Sequence, residues 1–213
     1  MLTLHYWRQN LKRCLIIGNG PSLADVPNEF LAKYPTFGSN RVYLKFTPHY
    51  YACVNPLVIE QYCTEIAQIN CVKYIRASHK HLVPGSAGLH KRNTPAFSKE
   101  PLRWIHEGWT VTFVLMQLAS WYGFVEVGLI GVDHSYNFDG RPNEKLTANG
   151  VDVNHFDPSY FSRGKAWNAP DLVRSEQSYR LAKEAYEADG RKIVNLTAGS
   201  QLDVFEKEDI NDW

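Results

Sequence analysis

The residues best suited to chemistry stand directly after four short apolar runs of this sequence. An apolar run that stops abruptly in a polar turn is typical of a buried strand. In an open parallel sheet the carboxyl ends of the strands share one edge, and ligands bind in the crevice there. Each group alone is also explained by helix caps and turns, but four groups at one edge predict a binding site. The groups are Gly18-Asn19-Gly20-Pro21-Ser22, Gly38-Ser39-Asn40-Arg41, Val54-Asn55-Pro56 and Gly131-Val132-Asp133-His134-Ser135-Tyr136.

The first group predicts a loop that holds a nucleotide phosphate. Its glycines let backbone N–H groups approach a ligand, and Asn19 and Ser22 add short polar side chains. The group lacks the third glycine of the dinucleotide fingerprint and the lysine of a P-loop, and a plain structural turn would use the same residues. Asn40 and Asn55 suit a base or a ribose, because an amide carries both donors and acceptors.

Titratable side chains near these groups are candidates for proton transfer. His155 and the pair Asp133-His134 could take a proton from an acceptor hydroxyl, with a carboxylate orienting the imidazole ring. Tyr136 and Tyr160 could donate hydrogen bonds to a departing phosphate. The alternatives are a surface loop position without a role for His155, a supporting or packing role for His134, and simple packing for the tyrosines. Histidines at 79 and 81 have no carboxylates at suitable spacing, so no metal site is predicted.

A parallel sheet with helices on both faces is needed to bring these groups together. Short apolar runs alternate with helical periodicity along most of the chain, which is typical of that architecture. Strands are predicted near 13–17, 36–39, 49–54, 72–76, 126–132 and 192–196, and helices near 56–69, 110–122 and 171–189. The predicted fold class is α/β, with residues 1–213 forming a single Rossmann-like α/β/α domain.

Two long segments interrupt the alternation. Residues 78–103 are basic and contain several prolines and glycines, and residues 133–170 are polar and dense in aromatic side chains. Structureless loops of this length are uncommon in compact domains and are usually functional. Each is expected to be a lid, an acceptor-binding wall or an oligomer contact, so a homo-oligomer is possible.

Length, charge and composition exclude several classes of protein. A chain of 213 residues with 44% hydrophobic content and a net charge of +1 predicts one globular domain, with no electrostatic reason to bind nucleic acid or an anionic membrane. No apolar run is long enough for a membrane span, and the start, Met1 to Trp7, lacks the apolar core of a signal peptide. A cytoplasmic location is therefore expected. The four cysteines are expected to be free thiols.

The ordered motifs resemble those of a known superfamily. The chain is similar to bacterial sialyltransferases of glycosyltransferase family 42, and equally to the group of 6-hydroxymethylpterin diphosphokinase-like (MptE-like) proteins found in bacterial surface-glycan and motility loci. The resemblance rests on Gly18-Asn19-Gly20-Pro21-Ser22-Leu23, Phe37-Gly38-Ser39-Asn40, Asn55-Pro56, Thr110-Val111-Thr112, Gly123-Phe124, Ile130-Gly131-Val132-Asp133 and the closing stretch from Asn195 to Phe205.

The sialyltransferase branch implies metal-independent transfer of a sialic-acid-like sugar from a CMP-activated donor to a glycan or lipid-linked acceptor, with no tightly bound cofactor. It implies that the donor contacts Gly18, Asn19, Gly20, Pro21, Ser22, Asn40, Asn55, Thr110, Val111, Thr112 and Asp133. In this branch tyrosines stabilise the phosphate, and a histidine before the penultimate helix is the base. Residues 167–171 contain no histidine here, so either His155 takes that role or the reaction is different.

Two alternatives remain open at this point. The MptE-like branch implies a diphosphokinase that uses ATP with magnesium, for which Asp133, Asp139, Asp152 and Asp157 are possible ligands. No lysine stands beside the first turn to neutralise a triphosphate. The other alternative is a non-catalytic module that binds a nucleotide without turning it over.

Overall fold

A computed structural model describes residues 13–213. The prediction that the first residues do not form a signal peptide concerns a part of the chain that lies outside the described residues. The strands are β1 (Arg13–Ile17), β2 (Thr36–Ser39), β3 (Tyr50–Cys53), β4 (Val72–Arg76), β5 (Ala87–Leu89), β6 (Glu126–Ile130), β7 (Lys145–Thr147), β8 (Ala166–Asn168), β9 (Lys192–Asn195) and β10 (Glu206–Lys207). The α-helices are α1 (Asn28–Leu31), α2 (Pro56–Gln68), α3 (Val111–Trp121) and α4 (Leu172–Ala188), and three 3₁₀ helices, η1 (Pro21–Asp25), η2 (Val42–Leu44) and η3 (Ala77–Leu82), lie between them.

Eight strands form one sheet in the order β10-β9-β6-β1-β2-β3-β4-β5. Each neighbouring pair is parallel. The chain builds outward from β1 through β5, then returns to place β6 on the other side of β1. The strand order therefore reverses between β1 and β6, and in open parallel sheets such a reversal opens a crevice beyond the carboxyl ends of the strands.

Apolar side chains cover both faces of the sheet, which confirms the α/β prediction. In β1, Cys14 and Ile16 point to a core formed with α3 and α4, while Leu15 and Ile17 point to a second core on the opposite face. The second core contains α2 and part of the segment after β6. The sequence of a strand that is buried on both faces is a continuous apolar run, as it is from Cys14 to Ile17.

The six predicted strands and three predicted helices are all present, with ends shifted by at most two residues. The two long segments are not structureless, in contrast to the expectation from sequence. The first contains η3 and β5, which extends the sheet. The second contains an antiparallel hairpin of β7 and β8, fixed to α2 because the Gln61 amide exchanges two hydrogen bonds with the backbone of Ala166.

Candidate functional site

A cleft of about 660 Å³ lies at the carboxyl edge of the sheet. Most of the residues that the sequence singled out line it, although they come from distant parts of the chain. Those residues are Gly18, Asn19, Gly20, Asn40, Asn55, Thr110, Val111, Thr112, Asp133, Tyr136, His155 and Tyr160. Pro21 and Ser22 are not in its lining and instead begin helix η1.

The glycine turn after β1 is closed onto the turn after β6. Gly18 N–H donates to the Ile130 carbonyl at 2.7 Å, and Gly20 N–H donates to the Gly131 carbonyl at 2.9 Å. A Cβ on Gly20 would collide with the Asp133 carboxylate, whose Cγ would be 2.6 Å away. These glycines therefore allow the turn after β1 and the turn after β6 to approach each other closely. Their N–H groups are not open to a ligand, contrary to the sequence-based expectation.

Asp133 holds this turn together through both carboxylate oxygens. Ser22 donates its N–H to Oδ1 at 3.1 Å and its hydroxyl to Oδ2 at 2.8 Å. The sequence suggested that Asp133 orients a catalytic histidine, but the structure pairs it with Ser22. Both residues therefore support the site by fixing the turn that carries Asn19.

Asn19 presents an unsatisfied acceptor at the cleft. Its Nδ2 donates to the carbonyl and hydroxyl oxygens of Ser39, each at 3.3 Å, and its own carbonyl accepts from Phe156 N–H. The side-chain oxygen Oδ1 is buried and has no partner among the described residues. A buried acceptor without a partner carries a desolvation cost that a bound donor would relieve.

Three helices begin at the cleft, each with a polar cap. Asn55 caps α2 by accepting from Leu57 N–H at 3.0 Å. Thr110 caps α3 through Thr112 N–H at 3.3 Å, and Asp171 caps α4 through Arg174 N–H at 3.1 Å. The capping alternative weighed from sequence thus holds for Asn55. Because a helix N-terminus carries partial positive charge, those of α2 and α3 favour an anion in the cleft, whereas the Asp171 carboxylate already occupies that of α4.

His155 forms a dyad with Asp152. Its Nδ1 lies 3.0 and 2.9 Å from the two oxygens of Asp152, and the side chains are 10% and 7% exposed. Burial pushes the pKa of Asp152 upward, but the His155 ring and the N–H groups of Asn154 and Phe161 outweigh burial and hold that pKa below its usual range. With Nδ1 committed to an ionised carboxylate, Nε2 is the nitrogen that can accept a proton.

The two candidate tyrosines lie on either side of His155. Tyr160 stacks face to face with the imidazole, and its hydroxyl accepts from Arg41 N–H at 3.1 Å. The Tyr136 ring meets the imidazole edge-on, with centroids 6.2 Å apart. Tyr136 is 37% exposed as a residue, yet burial around its hydroxyl, together with Tyr179 and Asp133, raises its pKa. Burial also raises the pKa of Tyr160. Both phenols therefore stay protonated.

Three residues around the site were missed from the sequence or given a different role. Asp152 was considered only as a magnesium ligand, although its spacing three residues before His155 was a usable signal. Glu176 on α4 was missed, and its Oε1 lies 3.2 Å from His134 Nε2. Arg41, considered as an anion-binding residue, is instead 7% exposed and donates to the carbonyls of Ser159 and Tyr160, so it supports the loop that carries His155.

Within residues 13–213, no three His, Cys, Asp or Glu side chains are grouped as metal ligands. Three of the four aspartates considered for magnesium bond to different partners: Asp133 to Ser22, Asp152 to His155 and Asp157 to Ser159. All four cysteines are free, as expected. In the same described part, no helix combines the length and apolar character needed to cross a bilayer.

Comparison with known proteins finds similarity among solved structures. No protein-family model matches the chain, and no curated protein matches it in sequence. The sialyltransferase CstII from Campylobacter jejuni, in complex with the substrate analogue CMP-3FNeuAc, is 14% identical with a TM-score of 0.49, over 91% of this chain and 85% of that one. The CstII complex with cytidine-5'-monophosphate is 15% identical with a TM-score of 0.45, over 94% and 87%. These values transfer neither ligand nor activity, and no comparison supports the MptE-like resemblance.

Proposed function

We propose that this protein is a glycosyltransferase that moves a sialic-acid-like sugar from a CMP-activated donor to a glycan or lipid-linked acceptor without a metal ion. The observation that carries the proposal is His155, which is paired with Asp152 and lines the same cleft as Asn19 and the N-termini of α2 and α3. The cleft thus combines a proton acceptor with groups suited to a nucleotide phosphate.

The donor nucleotide is assigned to the strand edge. Asn19 Oδ1 is an acceptor in need of a donor, and a cytosine amino group or a ribose hydroxyl supplies one. The Oδ1 atoms of Asn40 and Asn55 have partners within the protein. Their Nδ2 groups have none among the described residues and can donate hydrogen bonds to the nucleotide. The N-termini of α2 and α3 stabilise the phosphate.

The reaction then needs one proton transfer and one exchange of bonds. His155 Nε2 takes the proton from the acceptor hydroxyl, and Asp152 stabilises the imidazolium that forms. The acceptor oxygen bonds to the anomeric carbon of the sugar while the bond from that carbon to the phosphate oxygen breaks. CMP leaves with the added negative charge, which the Tyr136 hydroxyl stabilises by donating a hydrogen bond.

A nucleotide panel separates this proposal from its alternatives. Thermal unfolding is measured with CMP, CMP-sialic acid, UDP, GDP, and ATP with and without magnesium. A ligand at one hundred times its Kd adds about 2.7 kcal/mol of stability, which raises Tm by several degrees. The proposal predicts a shift with CMP that EDTA leaves unchanged. A shift only with magnesium and ATP indicates the kinase, and a CMP shift without turnover of any CMP-sugar indicates a binding module.

A further inference from the structure

One wall of the cleft is not used by the proposed donor site. It is formed by the segment between β5 and α3 and includes Lys91, Arg92, His106, Glu107 and Trp109. We call it the 91–109 wall. Its backbone is fixed, because Arg92 N–H donates to the Ile105 carbonyl at 2.8 Å and Ile105 N–H donates to the His90 carbonyl at 2.8 Å.

The 91–109 wall carries an excess of positive charge. Arg76 Nη1 and Lys91 Nζ share the carboxylate of Glu107, at 3.1 and 3.6 Å. Within residues 13–213, no carboxylate forms an ion pair with Arg92. The Arg92 guanidinium lies over the Trp104 ring, 5.0 Å from its centroid. This contact orients the guanidinium without neutralising it, which leaves it available to a carboxylate of a ligand.

His106 adds an unsatisfied buried nitrogen beside this cation. The residue is 5% exposed, its Nδ1 lies 3.4 Å from the Arg92 carbonyl, and its Nε2 has no partner in the described part of the chain. If Nδ1–H donates to that carbonyl, Nε2 is an acceptor. A sugar hydroxyl is a donor of the right kind for this position.

Trp109 supplies a flat apolar surface at the same wall. The residue is 38% exposed, and its backbone has a φ of 56°, a conformation that costs free energy for a bulky residue. The Arg174 guanidinium lies 5.2 Å from its ring centroid, and the His106 ring packs edge-on at 5.5 Å. An exposed aromatic ring held in this way is suited to stacking against the apolar face of a sugar ring.

We infer that the 91–109 wall is the acceptor subsite and that the acceptor sugar it binds carries a carboxylate. The inference rests on the proposed function, because only transfer requires a second sugar in the cleft. Arg92 pairs with the carboxylate, His106 Nε2 accepts from a neighbouring hydroxyl, and Trp109 stacks on the ring. A carboxylate on the donor sugar has the same chemistry, so the test must separate the two sources.

The test compares an acidic and a neutral sugar of the same shape. Binding of methyl β-D-galactopyranosiduronate and methyl β-D-galactopyranoside is measured by ligand-observed NMR, with and without saturating CMP. The wild-type protein is expected to bind the acid about tenfold more tightly. Arg92→Ala removes that preference. Arg103→Ala is the matched control and keeps it, because Arg103 is 74% exposed and paired with Glu100.

A second variant tests the stacking surface. Trp109→Asn keeps a residue that tolerates positive φ while it removes the indole, and it is expected to weaken both sugars about three- to tenfold. Equal binding of the two sugars by the wild type, or an acid preference that survives in Arg92→Ala, overturns the inference. Weaker binding of CMP-sialic acid relative to CMP in Arg92→Ala assigns the carboxylate to the donor and also overturns it. An acid preference at the wall in a protein that binds no CMP refutes the proposed function instead.

Discussion

The imidazole of His155 and the phenol ring of Tyr160 are parallel to within 1°, with their centroids 3.9 Å apart. Tyr160 is 1% exposed, and Arg41 N–H holds its hydroxyl at 3.1 Å. The histidine therefore rests on a fixed surface, while Asp152 occupies Nδ1 and leaves Nε2 as the available ring nitrogen. This arrangement orients the proposed base before substrate binds.

Asp152→Asn is expected to lower stability in a pH-dependent way. The pKa of Asp152 is below its usual range in the folded protein, so the ionised carboxylate stabilises the fold above its unfolded pKa of about 3.9. That contribution is lost as the pH falls through the lowered folded pKa. The variant should lose about 1–3 kcal/mol at pH 7, measured by urea unfolding between pH 3 and 7. A difference from wild type that stays constant over this range would contradict the assignment.

Gly20→Ala is expected to destabilise the turn between β1 and η1. The added Cβ collides with the Asp133 carboxylate and breaks both of its bonds with Ser22, at a cost of about 1–3 kcal/mol. Gly150→Ala is the control, because nothing lies within 4 Å of a Cβ there. Thermal unfolding compares the two variants, and equal Tm values would show that Gly20 is not needed for this contact.

Asn19→Ala is expected to weaken CMP binding about tenfold, since it removes the acceptor that the nucleotide satisfies. Calorimetric titration with CMP measures the effect. Asn70→Ala serves as the control, because Asn70 is exposed just before β4, at the amino edge of the sheet. An unchanged Kd in Asn19→Ala would place the nucleotide elsewhere.

Tyr136→Phe is expected to lower kcat about ten- to a hundredfold and to leave the Kd for CMP nearly unchanged. The reason is that the hydroxyl acts on charge that develops only as the phosphate leaves. Tyr34→Phe is the matched control, because the Tyr34 hydroxyl bonds the Trp213 carbonyl and does not line the cleft. If Tyr136→Phe changes KM alone, Tyr136 binds substrate without stabilising the leaving group.

The sheet could be predicted from the sequence because its strands are short apolar runs that end in polar turns. The predicted strands at 13–17 and 72–76 have the same first and last residues as the strands in the structure. The hairpin of β7 and β8 was missed, since three-residue strands of mixed polarity give no periodic signal. Asp133 was placed at the right edge, but its partner Ser22 depends on how closely two turns approach, and Gly20 sets that distance.

The 91–109 wall illustrates a second limit of sequence reasoning. His106 and Trp109 share a surface with Arg92 only because both ends of the segment between β5 and α3 line the cleft. Nothing in their spacing separates them from packing residues. The unsatisfied nitrogen of His106 and the positive φ of Trp109 are visible only in three dimensions.

The central claim is tested most directly by the release of CMP from CMP-sialic acid with an acidic sugar acceptor and EDTA present, for the wild type and His155→Gln. We predict turnover by the wild type and a loss of a hundredfold or more in kcat in the variant, because a general base usually contributes about 10²–10⁴ to the rate. The Kd for CMP should be the same in both. His81→Gln, an exposed histidine outside the cleft, should keep full activity. Turnover by His155→Gln within tenfold of wild type, or no turnover by the wild type, would contradict the account.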